Sequence, residues 1–256
     1  MNSAPQKKPK VNQQKIFGVH AVTEAILSGR ELERVLLKRN SENPRIRELQ
    51  KTLSEKSIPF SFVPEAKLNR EAGEKHQGII AFCALIEYGN IEEVIAAAFE
   101  RGENPLILIL DGITDVRNLG GIARTAECMG VHAIVVPDSG SAQINGETMK
   151  ISSGALHNIT VCRTQSITKT IEFLQNSGVI LVGASEKAEA TIYEFNFCHP
   201  VAIIMGSEDN GLSHASIRKV THLLKIPMAG STSSLNVSVA CGMILYECAR
   251  QRFSLC

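Results

Sequence analysis

The chain has 256 residues, of which 44% are hydrophobic and 21% charged, and its net charge at pH 7 is +1. These values are ordinary for a soluble globular protein of one large domain or two small ones. They argue against a membrane protein, because no apolar run approaches the roughly 20 residues of a membrane span. The N-terminus is rich in Lys and Pro and has no apolar core of a signal peptide.

Cysteine usage and charge distribution add two expectations. The seven cysteines are scattered, with no C-x-x-C pair, which indicates a cytoplasmic protein without a zinc site. Residues 1–88 carry 15 Lys and Arg against 10 Asp and Glu, whereas residues 89–256 carry 12 against 16. A basic first part favours contact with a polyanion, although an ordinary solvated surface explains the excess equally well.

The first part of the chain predicts a small α/β domain. Residues 1–14 are polar and basic and predict a flexible tail that adds phosphate contacts to a nucleic-acid site. Residues 15–86 form the domain, with predicted elements in the order helix 19–27, strand 34–37, helix 45–56, strand 60–63 and strand 79–85. The loop His76-Gln77-Gly78 precedes the last strand. Either it only turns and caps the chain, or it faces a nucleic acid.

The second part predicts a larger α/β domain over residues 105–256, after a linker over 87–104 that contains an Ala-rich helix at 91–99. Strands and helices alternate there, with strands at 106–110, 133–136, 179–184, 201–205 and 223–226 and helices at 119–129, 166–176 and from 236 to about 252. The strands are apolar throughout. This pattern is typical of a mostly parallel sheet that is covered on both faces.

Three loops follow buried strands of this sheet, at the carboxyl ends where such folds bind ligands. In the loop after Leu110, Asn118 is placed as the N-cap of a helix. Gly120 and Gly121 in the first turn cost helix stability, which indicates close approach of another backbone or a ligand. Arg124 needs an anion if it is partly buried. That anion is either an acidic side chain of the same chain or a substrate phosphate.

The other two loops each allow a structural and a functional interpretation. Glu208 lies between Gly206 and Gly211, in a turn with Ser213 as the cap of the next helix; alternatively it serves as an acid, a base or a ligand acceptor. In the third loop, Ser234 is the candidate N-cap of the last helix. The small polar residues before it also leave backbone N–H groups free to meet a ligand.

The three loops together resemble the motifs of the SpoU (TrmH-like) family of RNA ribose 2′-O-methyltransferases. Residues 118–124 fit the first motif, N-x-G-x-x-x-R, and residues 206–211 fit the second, G-x-E-x-x-G. Residues 226–228 and 234–238 fit the third. The resemblance covers about residues 105–253.

The first domain extends the resemblance. Residues 18–22 and 76–79 are similar to the L30-like substrate-binding domain of RlmB-type enzymes, which modify a guanosine of 23S ribosomal RNA. The tRNA-modifying relatives generally lack such a domain. The resemblance therefore implies 23S ribosomal RNA or a ribosome assembly intermediate as partner. The alternatives are a tRNA ribose 2′-O-methyltransferase and a non-catalytic RNA-binding protein that retains the fold.

The resemblance also implies a trefoil-knotted (SPOUT) α/β methyltransferase domain that binds S-adenosylmethionine (AdoMet), needs no metal and forms a homodimer. The implied cofactor-binding residues are Gly183, Gly206, Ile226, Met228 and Leu235. The implied catalytic residues are Arg124, Asn118, Glu208, Ser234 and Asn236. In this family the motif arginine faces the partner subunit's cofactor. It acts either as the base or, since a guanidinium normally stays protonated, by pairing with a phosphate and orienting the hydroxyl.

Overall fold

The computed structural model describes residues 13–232 and 234–254 of the chain. The predicted basic tail over residues 1–14 therefore lies almost entirely outside the described residues. The chain divides into two compact units. Unit 1 contains the chain up to Leu85 together with Ile144–Lys150, and unit 2 contains Ile86–Gln143 together with Ile151–Cys256.

Unit 1 is built on a four-stranded sheet. In chain order its elements are β1 (Lys15–Phe17), α1 (Val19–Leu27), β2 (Leu32–Lys38), α2 (Pro44–Glu55), β3 (Phe60–Val63), α3 (Glu65–Ala72) and β4 (Ile79–Cys83). The strand order is β1-β4-β2-β3. Strand β4 runs antiparallel to β1 and β2, whereas β2 and β3 are parallel.

Helices cover both faces of this sheet. Helices α1 and α2 present apolar residues at three- and four-residue spacing, which places them on one side of each helix. On one face of the sheet they form a core with residues that include Val22, Ile26, Leu49 and Leu53. Leu68 of α3 packs on the other face, against a smaller cluster. The predicted small α/β domain is therefore observed as a compact unit.

Unit 2 is built on a seven-stranded sheet, and every described strand pairing in it is parallel. Its strands are β5 (Tyr88–Gly89), β6 (Leu106–Asp111), β7 (Ala133–Pro137), β8 (Thr160–Thr164), β9 (Ile180–Ala184), β10 (Val201–Gly206) and β11 (His222–Leu224). Their order is β11-β9-β10-β6-β7-β8-β5. Its helices are α4 (Ile91–Glu100), α5 (Val116–Cys128), α7 (Ile167–Asn176), α8 (His214–Ile217) and α9 (Val237–Ser254), whereas α6 (Gly146–Ile151) lies almost entirely in unit 1. The prediction of a mixed α/β protein with a mostly parallel sheet is confirmed.

The segment 87–104, which the sequence suggested as a linker, carries β5 and α4 of unit 2 in the structure. Ile95 of α4 is buried in the core of unit 2, with Ile91 and Val94 packed against it. Strand β5 pairs with β8. The apolar face of this Ala-rich helix explains the difference, because it is buried against the sheet. The domain boundaries inferred from the sequence otherwise stay predictions.

The centre of the large sheet positions the loops of interest. Strands β6 and β10 are neighbours in register, with Asp111 opposite Gly206 at their carboxyl ends. Strand β9 lies on the other side of β10. The loops after β6, β9 and β10 therefore leave the same edge of the sheet. In the described part of the chain, no helix is long and apolar enough to cross a membrane.

Candidate active site

A pocket of about 330 Å³ opens at this edge of the large sheet. Residues after β9, β10 and β11 and the first two turns of α9 line it. The lining includes six residues that the sequence had singled out: Gly206, Glu208, Ile226, Met228, Ser234 and Leu235. It also includes residues that the sequence reasoning missed: Ala184, Ser185, Glu186, Lys187, Val237, Ala240 and Ile244.

Asn236 joins the three predicted loops. Its Nδ2 donates to Asn118 Oδ1 at 3.0 Å and also to Glu208 Oε1. The backbone N–H of Val237 points to the same Glu208 oxygen at 3.4 Å. One amide side chain thus ties together the loop after β6, the loop after β10 and the start of α9.

Asn236 is also the N-cap of α9, a role that the sequence had assigned to Ser234. Asn236 Oδ1 accepts from Ser238 N at 3.0 Å, from Ser238 Oγ at 2.5 Å and from Val239 N at 3.4 Å. The prediction for Ser234 was wrong because α9 begins at Val237, which places Ser234 two residues before the capping position.

Asn118 lies inside helix α5, and its prediction as the N-cap was also wrong. The helix begins at Val116, and the cap is Asp115, whose carboxylate accepts from Arg117 N at 2.6 Å. Asn118 is only 9% exposed. A polar side chain so buried needs a partner, and Asn236 supplies it. Both residues therefore depend on the same hydrogen bond for their position.

Helices α5 and α9 pack against each other. A Cβ added at Gly121 would stand 3.6 Å from Ser238 Cβ, and one added at Gly242 would stand 3.6 Å from Thr125 Cγ2. Both are ordinary van der Waals distances, so alanine would fit at either position. The close approach of another backbone that the first motif predicted is therefore not observed at Gly121, and the approach of a ligand stays a prediction.

Asp111 anchors the loop that carries Glu208. Its Oδ2 accepts from Ser213 N at 3.0 Å and from Ser216 Oγ at 2.6 Å. Ser213 caps α8, as predicted, through Ser216 N at 3.2 Å. The sequence reasoning missed Asp111, although an acidic residue at the end of a buried strand was a usable signal.

The loop itself closes on Gly206. Ser207 and Gly211 exchange backbone hydrogen bonds of 3.0 and 2.9 Å. A Cβ on Gly206 would stand only 2.1 Å from Gly211 C. Glycine is therefore required at this position by close backbone approach.

Replacing Gly206 by alanine should unfold this turn locally and weaken ligand binding in the pocket. The added methyl group has no space, because its neighbours are backbone atoms, and such overpacking typically costs about 1–3 kcal/mol. Gly230→Ala is the matched control, since a Cβ there meets nothing within 4 Å. Thermal unfolding and calorimetric titration with AdoMet measure both effects. If Gly206→Ala were as stable as Gly230→Ala and bound AdoMet as tightly, the requirement for glycine at position 206 would be contradicted.

Four predicted site residues do not line the pocket: Asn118 and Asn236, which hold its loops together, and Gly183 and Arg124. Gly183 is buried in β9, where an added Cβ would stand 2.7 Å from Leu212 Cδ1 and 2.9 Å from Leu223 Cδ2. Arg124 is exposed on α5. Within residues 13–232 and 234–254 it forms no hydrogen bond or ion pair, so the intramolecular salt bridge that the sequence left open is not observed.

The pocket's chemistry is polar without an obvious nucleophile. Burial raises the pKa of the Cys241 thiol on α9 to about 12, which keeps it protonated at neutral pH. In the part of the chain that the structure covers, His, Cys, Asp and Glu side chains form no cluster of three or more that could hold a metal. The arrangement suits the binding of a ligand between apolar and amide groups. The bound ligand, and not a protein side chain, then carries the reactive group.

Two family models match the chain. The SpoU rRNA Methylase family matches residues 105–246, and a model described as RNA 2′-O ribose methyltransferase substrate binding matches residues 15–89. The first match contains the pocket and the second covers most of unit 1.

Individual relatives match nearly the whole chain. The 23S rRNA (guanosine-2′-O-)-methyltransferase RlmB of Haemophilus influenzae is 36% identical and aligns over 93% of this chain and 98% of its own length. The putative TrmH family tRNA/rRNA methyltransferase YacO of Bacillus subtilis is 33% identical over 93% of this chain and 95% of its own. The crystal structure of the SpoU methyltransferase AviRb of Streptomyces viridochromogenes in complex with AdoMet has a TM-score of 0.60 and 25% identity, covering 94% of this chain and 90% of that one.

Proposed function

This chain belongs to the SpoU rRNA methylase family, and we propose that it methylates the ribose 2′-hydroxyl of a guanosine in 23S ribosomal RNA. It is an AdoMet-dependent RNA ribose 2′-O-methyltransferase. The choice of 23S RNA is supported by the RlmB relative, which aligns over nearly all of its length. The structural observation that carries the activity is the Asn236 side chain, which holds three motif loops around one pocket.

The pocket fits the cofactor's mixed character. Ile226, Met228 and Leu235 give it an apolar wall, and the last two are 40% and 37% exposed, which leaves apolar surface available to a ligand. We propose that these three side chains contact the adenosine part of the cofactor and that the backbone at Gly206 lies close to the cofactor. When bound, AdoMet supplies an electrophilic methyl group on a sulfonium.

The protein's own part in the reaction is to position the ribose, and the proton of the 2′-hydroxyl is released to water when the methyl group is transferred. The Glu208 carboxylate already accepts from Asn236 Nδ2 and faces Val237 N, so it acts as a fixed acceptor that shapes the loop. Positioning of this kind contributes up to about 7–11 kcal/mol to such a reaction. Arg124 is the exposed cation of the first motif. We assign it to an RNA phosphate, where it orients the hydroxyl, because a guanidinium normally keeps its proton.

A homodimer completes the proposed enzyme. Val239, Met243 and Tyr246 recur at four- and three-residue spacing on α9 and are 51%, 45% and 62% exposed. An apolar stripe of this kind favours burial against an identical stripe across a two-fold axis. Arg124 is exposed and forms no hydrogen bond or ion pair within the described residues, which supports the proposal that it serves the partner's pocket.

Two further properties belong to the same proposal. Membership of the SpoU family supports a trefoil knot in unit 2, a rare exception to ordinary chain topology. We also place the enzyme in the cytoplasm, where ribosomal RNA is available as a substrate.

The expected result of a methylation assay is label in 23S ribosomal RNA and not in tRNA. Purified protein is incubated with methyl-labelled AdoMet and either RNA, and protected riboses are mapped by resistance to alkaline hydrolysis. The tRNA sample tests the second candidate function, methylation of tRNA, because the name of the B. subtilis relative includes tRNA. The Asn236→Ala variant serves as the inactive control. Label confined to tRNA, or to a nucleoside other than guanosine, would overturn the proposal.

A further inference from the structure

Unit 1 contains a second cavity, of about 440 Å³, that no step above uses. It lies where β2 ends and β4 begins, beside α3 and the turn that follows it. Every side chain that lines it is polar, and the lining includes Lys38, Asn69, Glu74, His76 and Gln77. A wall of amides and carboxylates suits a ligand that both donates and accepts hydrogen bonds.

His76 fixes the orientation of one wall. It is only 3% exposed, and its Nδ1 accepts from Gly78 N at 2.9 Å. The ring proton is therefore on Nε2, which donates to Asn69 Oδ1 at 2.8 Å. With its oxygen engaged in this way, Asn69 has its Nδ2 amino group left for a ligand. That group has no hydrogen-bond partner within residues 13–232 and 234–254.

The charges of the cavity disfavour a phosphate. Lys38 Nζ and Glu65 Oε2 pair at 2.7 Å and neutralise each other. Glu74 has no ion-pair or hydrogen-bond partner in the described part of the chain, so the cavity carries one uncompensated negative charge. A carboxylate with two unoccupied oxygens can accept from two adjacent N–H donors of one planar group.

The loop beside the cavity carries backbone strain. Gln77 has φ 49° and ψ 31°, a left-handed conformation that is uncommon for residues other than glycine, asparagine and aspartate. Its side chain packs over Gly18, where an added Cβ would stand 2.9 Å from Gln77 Oε1. Glycine is favoured at this position by its backbone conformation, with φ 85°, and Gln77 Oε1 lies beside it. Strain retained in this way is typical of binding sites.

We propose that this cavity binds an unpaired guanine base of the RNA substrate. Guanine presents N1–H and N2–H to the Glu74 carboxylate and, beside them, O6 to the Asn69 amino group. Adenine, cytosine and uracil lack that pair of adjacent donors next to an acceptor. Sequence-specific RNA recognition commonly reads bases that are splayed out of single-stranded segments. The inference rests on the proposed function, since it names what unit 1 recognises in the RNA.

The test uses fluorescent nine-nucleotide oligouridylates that carry a single central G, A or C, with binding of the full chain followed by anisotropy at fixed salt. The G oligonucleotide should bind about tenfold more tightly than the others. Glu74→Gln, which keeps the shape but loses the double acceptor, should remove this preference. Glu55→Gln is the matched control, because Glu55 is an exposed carboxylate on α2 of the same unit and lies outside the cavity lining. Equal affinities for all oligonucleotides, or a G preference that survives in Glu74→Gln, would overturn the proposal.

A second readout separates this proposal from the function on which it rests. In the methyl-transfer assay, Glu74→Gln should raise the KM for 23S RNA about tenfold and leave kcat unchanged. A wild-type protein that transfers no methyl group to RNA would contradict the proposed function. The anisotropy series would still decide the guanine site by itself.

Discussion

Replacing Asn236 by alanine should reduce methyl transfer about a hundredfold or more, since preorganised polar groups at a reacting centre are each worth about 10²–10³ in rate. The variant loses the Nδ2 donor that joins Asn118 to Glu208, so the three loops lose their common anchor. Initial rates with labelled AdoMet and 23S RNA measure the effect. A calorimetric titration with AdoMet shows how much of the loss arises from cofactor binding.

The same substitution should also lower stability, and the two effects can be separated. Loss of the α9 cap costs about 1 kcal/mol, and an unsatisfied buried Asn118 adds about 1–3 kcal/mol. Asn236→Asp keeps the capping oxygen, but it loses the amide donor and places a second carboxylate against Glu208, so it should be inactive and at least as destabilised. Ser166→Ala removes a comparable cap, on α7, away from the pocket, and should leave the rate unchanged. An Asn236→Asp variant with wild-type activity would contradict the bridging role.

The sequence predicted the elements of the large sheet better than the helix starts that shape the site. The buried strands carry a strong apolar signal, and β6 and β10 were located to within one residue. The caps were misplaced because each helix start offers more than one polar residue that can cap it, and local propensity does not choose among them. At α9, tertiary hydrogen bonds to Asn118 and Glu208 hold Asn236 in the capping position.

The missed elements have physical reasons of the same kind. Strand β8 reads Thr-Val-Cys-Arg-Thr, and its polar, half-buried residues hide its place inside a parallel sheet. Strand β5 has two residues and exists only through its pairing with β8. The link between Asn118 and Glu208 spans distant parts of the chain and passes through a third residue. Spacing along the sequence carries no information on such a link, so the resemblance to a family named the three residues but not the hydrogen bonds between them.

Arg124→Ala should reduce methyl transfer about a thousandfold, because charged groups that orient a transferring centre carry effects of this size. Stability and AdoMet affinity should stay at wild-type values, since Arg124 is exposed and makes no hydrogen bond or ion pair within the described residues. Arg117→Ala is the matched control: it removes another exposed arginine of α5, paired with Asp115 at 3.6 Å on the surface. Such exposed pairs contribute about 0–1 kcal/mol. An Arg124→Ala variant with full activity would exclude the residue from the reaction.

Mixing the two inactive variants tests whether Arg124 acts across a dimer. If Arg124 of one subunit serves the partner's pocket, a heterodimer of Arg124→Ala and Asn236→Ala contains one intact site, made of the pocket from the first and the arginine from the second. Random exchange of subunits between two-fold dimers should then restore about a quarter of wild-type activity. An arginine that serves its own subunit would leave every mixed dimer inactive, because each pocket or its own arginine is damaged. Mass spectrometry shows whether the subunits exchange. If they do and activity is not regained, the shared site is rejected, and the separate Arg124→Ala result is unaffected.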